Sequence, residues 1–190
     1  MKKLYINNCS IEISLETDYN FKSADNKQFD KIINFMRNEE RTKTIGIKIE
    51  EDENIKEVAL IVPFFTYVDK CALPTEQYIF FMFDKLLCLF NPITMEIVKQ
   101  TEIPSSGTMF ALFSYDKDFI LYGEMEIYRV TKDLKIKWEF LGKDIFVRYK
   151  GEEPAFEMKE DRICLYDFED NYYEIDYDGK IIEERFASKK

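Results

Sequence analysis

Residues 119–140 read FILYGEMEIYRVTKDLKIKWEF, three strand-length runs interrupted at Gly123–Glu124 and again from Thr131 to Asp133. Branched and aromatic side chains dominate the runs, as suits a pleated and half-buried surface, and turn-forming residues separate them. The stretch therefore predicts an antiparallel meander of short strands. Working outward from it decides how the rest of the chain is built.

Two further segments share its grammar. Aligning LLCLFNPITMEIVK (86–99), MEIYRVTKDLKIKW (125–138) and NYYEIDYDGKIIEE (171–184) puts Phe90, Val130 and Ile175 at one strand-end position, with one extra residue in the first turn. Each copy has a strand ending in a polar residue (Asn91, Thr131, Asp176), a turn, and a strand opening on a charge (Glu96, Lys135, Lys180). Spacings of 40 and 45 residues between such units are those of propeller blades. Upstream, YIFFMF (78–83) is continuously apolar, which predicts a strand buried on both faces.

The central copy, IYRVTKDLKIKWEF, resembles the quinoprotein-like blade repeat, in which a strand ends in an Asp-type turn with Gly and Lys and the next strand bears a Trp. Trp138 stands where that docking Trp would be, and Asp178, Gly179 and Lys180 restore the turn in the third copy. The first copy departs from the pattern, with Pro92 and no Gly in its turn, and one copy alone has the Trp. The longer run from Tyr122 to Val147, with DFEDNYYEIDYDGKII after it, is also similar to a recurring group of bacterial cytoplasmic β-repeat proteins. That resemblance implies a structural role for Trp138 and Gly179 and no activity. Immunity and partner-binding roles are what it suggests.

The first 75 residues follow a different grammar. Leu4 and Ile6, then Ile11, Ile13 and Leu15, alternate about Asn7–Asn8 and predict a hairpin over 2–15. Asp25 with Gln28, followed by Phe29, Ile32, Ile33 and Met36, predicts a helix from about Asn26 to Arg41. Residues 44–62 read as a second hairpin with an acidic tip at 51–54, and Lys70–Pro74 as a loop. Four blades would need nearly the whole chain, so the expected architecture is mainly β. It consists of antiparallel propeller-blade-like repeats in an open or partly closed twisted assembly, with one helix near the N-terminus. Residues 1–75 form a cap or first sheet, and 76–190 form three repeats in one compact unit.

Composition narrows the chemistry. A chain of 190 residues with 46% hydrophobic and 16% aromatic side chains can bury a core without staples. Cys9, Cys71, Cys88 and Cys164 form no close pair and read as buried free thiols, which points to a reducing, cytoplasmic setting. The longest nearly apolar stretch, 58–68, is far short of the roughly 20 residues of a spanning helix, so no membrane partner is expected. There is no histidine, which removes Ser–His–Asp and Cys–His catalysis and every His-ligated metal site. With 6 glycines there is also no phosphate-cradling loop, and no cofactor or metal is expected.

The net charge is −10, and residues 151–190 hold 13 acidic against six basic side chains. Such a C-terminal region repels nucleic acid and suits a basic protein partner. Asp167, Glu169, Asp170, Asp176 and Asp178 are the candidate partner-binding residues, and no residue is assigned to catalysis. The sequence thus favours a non-enzymatic interaction module of immunity or regulatory type. Two alternatives stand beside it: a carboxylate-dependent hydrolase that would draw on Asp167, Glu169 and Asp170 with Asp176, and a small-ligand sensor. A homodimer through an uncovered sheet edge is the expected oligomer.

Overall fold

Alternation of apolar and polar residues puts alternate side chains on opposite sheet faces, and the computed structural model shows the resulting strands throughout. It describes residues 1–19, 27–36, 42–63, 65, 67–149 and 151–187. In chain order the elements are β1 (Lys2–Ile6), β2 (Cys9–Leu15), β3 (Lys31–Asn34), β4 (Lys43–Glu51), β5 (Asn54–Val62), α1 (Val68–Cys71), β6 (Ala72–Pro74), β7 (Ile79–Phe83), β8 (Leu86–Asn91) and β9 (Glu96–Glu102). They continue with β10 (Met109–Tyr115), β11 (Asp118–Gly123), β12 (Glu126–Thr131), β13 (Ile136–Leu141), β14 (Phe156–Met158), β15 (Arg162–Tyr166), β16 (Tyr172–Asp176) and β17 (Ile181–Arg185). The expected mainly β architecture is observed.

The strands form four open sheets. The first has the order β1-β2-β4-β5-β3, and the other three are four-stranded meanders, β6 to β9, β10 to β13 and β14 to β17. Two compact units result, Met1–Ile103 with the first two sheets and Pro104–Lys190 with the last two.

In the first unit the inward residues of both predicted hairpins, among them Ile11, Ile13, Ile45, Ile47, Val58 and Leu60, pack on Phe81, Phe83, Cys88 and Phe90 of the second sheet. Each such side chain contributes roughly 1.5–3 kcal/mol by leaving water. YIFFMF becomes β7, buried at every position from Ile79 to Phe83 as its unbroken apolar run requires.

Two expectations for this unit are corrected. Lys31–Asn34, inside the predicted helix, is a strand paired in parallel with β5, Ile33 lying opposite Leu60. Ile33 and Phe35 pack against the core while Ile32 is 50% exposed, a period of two that the helical spacing of Phe29, Ile32, Ile33 and Met36 concealed. Asn26 and Arg37–Arg41 lie outside the described residues. Among the described residues the helix is the short α1, and the segment read as a loop, Lys70–Pro74, closes that helix and supplies β6. Pro74 ends β6 on the outer edge of its sheet, where its missing N–H costs nothing.

The three-copy repeat is physical. Each four-stranded sheet has a register irregularity between its third and fourth strands, at Leu89/Phe90, Arg129/Val130 and Glu174/Ile175, which is the aligned position in all three copies. The turn that follows also recurs. The side-chain oxygens of Asn91, Thr131 and Asp176 accept backbone N–H bonds from Ile93 and Thr94, Asp133 and Lys135, and Asp178 and Lys180. Met95, Leu134 and Gly179 then take positive φ at 55°, 61° and 79°. The extra residue of the first turn displaces Met95 by one, as the alignment requires.

In the second unit Ile120, Ile127, Phe140 and Phe146 pack on Ile163, Leu165, Tyr173 and Ile175, joining the third sheet to the fourth. Aromatic side chains border this contact, with Tyr122 and Phe113 stacked on Phe156 at 4.6 and 4.9 Å and Tyr115 stacked on Tyr177 at 3.6 Å.

Candidate interaction surface

The fourth sheet presents the C-terminal carboxylates, and the two hairpin turns of β16 position the five candidates. At its start Asp167 is fully buried. Its Oδ1 accepts from the backbone N–H of Glu169 (3.1 Å) and Asn171 (2.9 Å), and its Oδ2 from Asn171 Nδ2 (2.8 Å) and the Tyr173 hydroxyl (2.8 Å). Burial, with the Asp167 carboxylate beside it, raises the Tyr173 phenol to about 12. Asn171 in turn accepts from the N–H of Ala187, fixing the stretch after β17 to this turn. Asp167 thus organises the turn and is closed to a partner, which corrects its assignment as a contact residue.

Glu169 and Asp170 project from the same turn and are exposed. Asp170 has φ 61°, a conformation Asp tolerates, and lies 3.4 Å from the Nε of Arg148. At the far end of β16, Asp176 is half-buried with its Oδ1 committed to two backbone N–H groups. Asp178 is 74% exposed and lies 3.5 Å from an Arg129 Nη1.

The five candidates consequently form two groups separated by the length of a five-residue strand, about 17 Å. Glu169 and Asp170 frame one end and Asp178 the other. A hydrolytic pair needs its carboxyl groups within about 5–9.5 Å. Asp167 and Asp176, at opposite ends of β16 and each bonded within its own turn, do not provide that geometry.

Between the two ends, the outward face of β15 and β16 is polar and internally paired. The Tyr172 hydroxyl donates to Glu174, whose other oxygen is 2.6 Å from Arg162. The hydrogen bonds from Tyr172 and Arg162 hold the Glu174 carboxyl below its usual range. Arg148 and Arg185 lie over the rings of Tyr166 and Tyr172, at 4.0 and 4.2 Å, and those two rings meet at 4.7 Å.

The two predicted structural residues meet each other. Trp138 Nε1 donates to the carbonyl of Tyr177 at 2.9 Å, and Gly179 lies under the indole, where a β-carbon would come 2.8 Å from Trp138 Cδ2. Arg129 is buried beside them. It lies across from Trp138 on the same face, bonds Asp118 through Nε at 2.7 Å, and donates to the Tyr177 carbonyl at 2.7 Å.

Sequence reasoning also missed Glu126, which is 2% exposed and accepts bonds from Ser105 Oγ (2.8 Å) and from the Ser106 N–H (2.9 Å) and hydroxyl. Burial alone would raise its pKa, but the donors from Ser106 and Ser105 outweigh it and the net shift is downward. A Glu opening a strand gives no signal that two serines 21 and 20 residues earlier will enclose it. Among the described residues no cluster of three metal-ligating side chains occurs, and no helix is long and apolar enough to cross a membrane.

No protein-family model and no curated protein matches the chain. Solved structures similar to it include a β-propeller domain and a WD40 domain. BamB from Moraxella catarrhalis is 14% identical, with 78% of this chain and 48% of that chain covered and a TM-score of 0.45. The Cps50 (Swd1) β-propeller domain of Myceliophteria thermophila is 13% identical, covering 80% and 57%, with a TM-score of 0.46. The Pan2 WD40 domain of Neurospora crassa is 12% identical, covering 63% and 39%, with a TM-score of 0.45. The chain spans about half the length of these solved chains.

Proposed function

We propose that this protein is a non-enzymatic interaction module that receives a basic protein partner on the carboxylates framing its fourth sheet. The observation that supports this is the distribution of charge. Of the 13 carboxylates in residues 151–187, ten are exposed, and Asp167, Glu174 and Asp176 alone are not, against four basic side chains in the same span. Glu169, Asp170 and Asp178 are the contact residues, while Asp167 and Asp176 hold the two turns that present them. An immunity-type or regulatory role suits such a surface, because a field of one sign speeds encounter and selects partners by charge.

The test is binding of a lysine-rich peptide, and of the protein encoded in the adjacent reading frame, at low and high salt. Affinity should fall steeply with salt. The combined Glu169→Lys, Asp170→Lys and Asp178→Lys variant should bind at least tenfold more weakly without losing its fold. Salt-independent binding that the variant leaves unchanged would remove the proposal.

Exposed isoleucines on an edge strand support a second reading, self-association through β17. Ile181 and Ile182 are 53% and 49% exposed on the outer strand of the fourth sheet. Sedimentation should then show a concentration-dependent dimer that Ile181→Lys abolishes, and a monomer at every concentration would sink this reading.

A further inference from the structure

The first unit contains a cleft of about 830 Å³, between the two sheets that make its core. Its lining comes from the strand that ends the first sheet, β3, with Phe35 and Met36 after it, from Pro63 after β5, and from β8 and β9, the latter ending the second sheet. Ile33, Phe35, Leu86 and Ile97 are half-buried side chains at the margin of the core. Asn34, Gln100 and Glu102 stand exposed at the rim. At the start of β3 and β9, Lys31 and Glu96 approach to 3.8 Å across the two edges.

Three features define the occupant. The volume is that of a ligand site, which typically has about 300–1,000 Å³. The cleft is bordered by the end strands of two sheets, so an extended chain laid along it finds backbone donors and acceptors beside an apolar floor, the arrangement by which peptides add to sheets. Among the described residues, the one charged side chain in the lining is the Glu102 carboxylate.

We infer that the cleft between β3 and β9 binds an extended peptide segment of a partner, one with apolar side chains at alternate positions and a Lys or Arg that reaches Glu102. The apolar side chains enter between Phe35, Leu86 and Ile97. The peptide backbone pairs with the outer edge of β3 over about four residues, or about 13 Å of strand. Asn34 and Gln100 bond the polar positions between. This site is separate from the acidic surface of the fourth sheet, and neither depends on the other.

The test pans a random octapeptide library on the full chain and measures the enriched peptide, fluorescently labelled, against variants. The enriched sequences should alternate apolar residues and include a Lys or Arg. Glu102→Lys should weaken binding at least tenfold while leaving the thermal midpoint unchanged, and Ile97→Asp, where it folds, should weaken binding as much at a lower midpoint. Methylating alternate backbone nitrogens of the peptide should abolish binding in one of the two registers. Absence of an enriched sequence would overturn the inference. So would a peptide indifferent to Glu102→Lys, one that tolerates methylation in both registers, or one that loses affinity with Glu169→Lys instead.

Discussion

The indole of Trp138 lies on the α-carbon of Gly179, one from the last strand of the third sheet and the other from the last turn of the fourth. The two sheets approach so closely there that a β-carbon on Gly179 would meet Trp138 Cδ2 at 2.8 Å. The same glycine has φ +79°, which an L side chain rarely adopts. Gly179→Ala should therefore destabilise by about 2–3 kcal/mol, from left-handed backbone and overpacking together. Gly179→Asn relieves the backbone part alone and should recover a fraction of the loss. Urea unfolding of both, with Trp138→Ala as the second arm of a double-mutant cycle, would show non-additive losses if the contact matters.

That contact was half legible in the sequence. The resemblance to a blade repeat gave Trp138 a docking role and Gly179 a turn, and both positions belong to strand-and-turn units that recur at 40- and 45-residue intervals. Nothing local said that the two touch, since their separation is a property of sheet packing. The same limit explains β3. Ile32 and Ile33 with Phe29 and Met36 satisfy a helical spacing, yet the pairing that decides the segment is with Ala59 and Leu60, contributed by a hairpin formed later in the chain. Adjacent β-branched residues were the available hint, and propensity is a weak one beside such a partner. For the candidate surface, acidity was legible and burial was not. Asp167 and Glu169 look alike in a list of carboxylates, and only the turn geometry separates the organiser from the exposed contact residue.

Asp167 has the geometry of a structural group, and its replacement should act on stability. Asp167→Ala leaves the N–H of Asn171 and the hydroxyl of Tyr173 without their acceptor in a buried place, an effect of about 3 kcal/mol. Denaturant unfolding should register that loss and proteolysis should cut first near the turn. Any effect on binding of a basic probe should scale with the unfolded fraction. A fully folded Asp167→Ala protein with abolished binding would contradict this assignment.

The four cysteines should be silent in the native protein. All are buried as free thiols, and burial raises Cys71 to about 12 and shifts Cys88 in the same direction. The reactive thiolate is then scarce and shielded. Ellman's reagent at pH 8 should label almost none of them until urea is added, after which four should react. Rapid native labelling of Cys71 or Cys88 would show that the first unit opens more readily than its packing implies.

Acid should unfold the second unit through carboxylates that the fold holds ionised. Burial acts to raise the pKa of Asp118, but hydrogen bonds from Lys137 and Arg129 outweigh it and leave the value below the ordinary 3.8. Glu126 is likewise held below its ordinary 4.5, by Ser106 and Ser105 against its own burial. A carboxyl whose folded pKa is depressed binds its proton more readily when unfolded. Its contribution is therefore complete above the unfolded value and is lost as pH falls through the folded one. Stability should thus be flat from neutral pH to about pH 5 and then decline from about 4.5 downward. Asp118→Asn should lower stability at pH 7 and flatten the decline, because the group that titrates has gone. Arg129→Ala should cost about 3 kcal/mol at neutral pH, since it leaves the buried Asp118 short of a partner and the Tyr177 carbonyl short of a donor. Arg129→Met, which keeps the packing volume, should lose less. Unfolding free energies measured at intervals from pH 3 to 7 would decide the matter, and an acid decline as steep in Asp118→Asn as in the wild type would show that other groups control it.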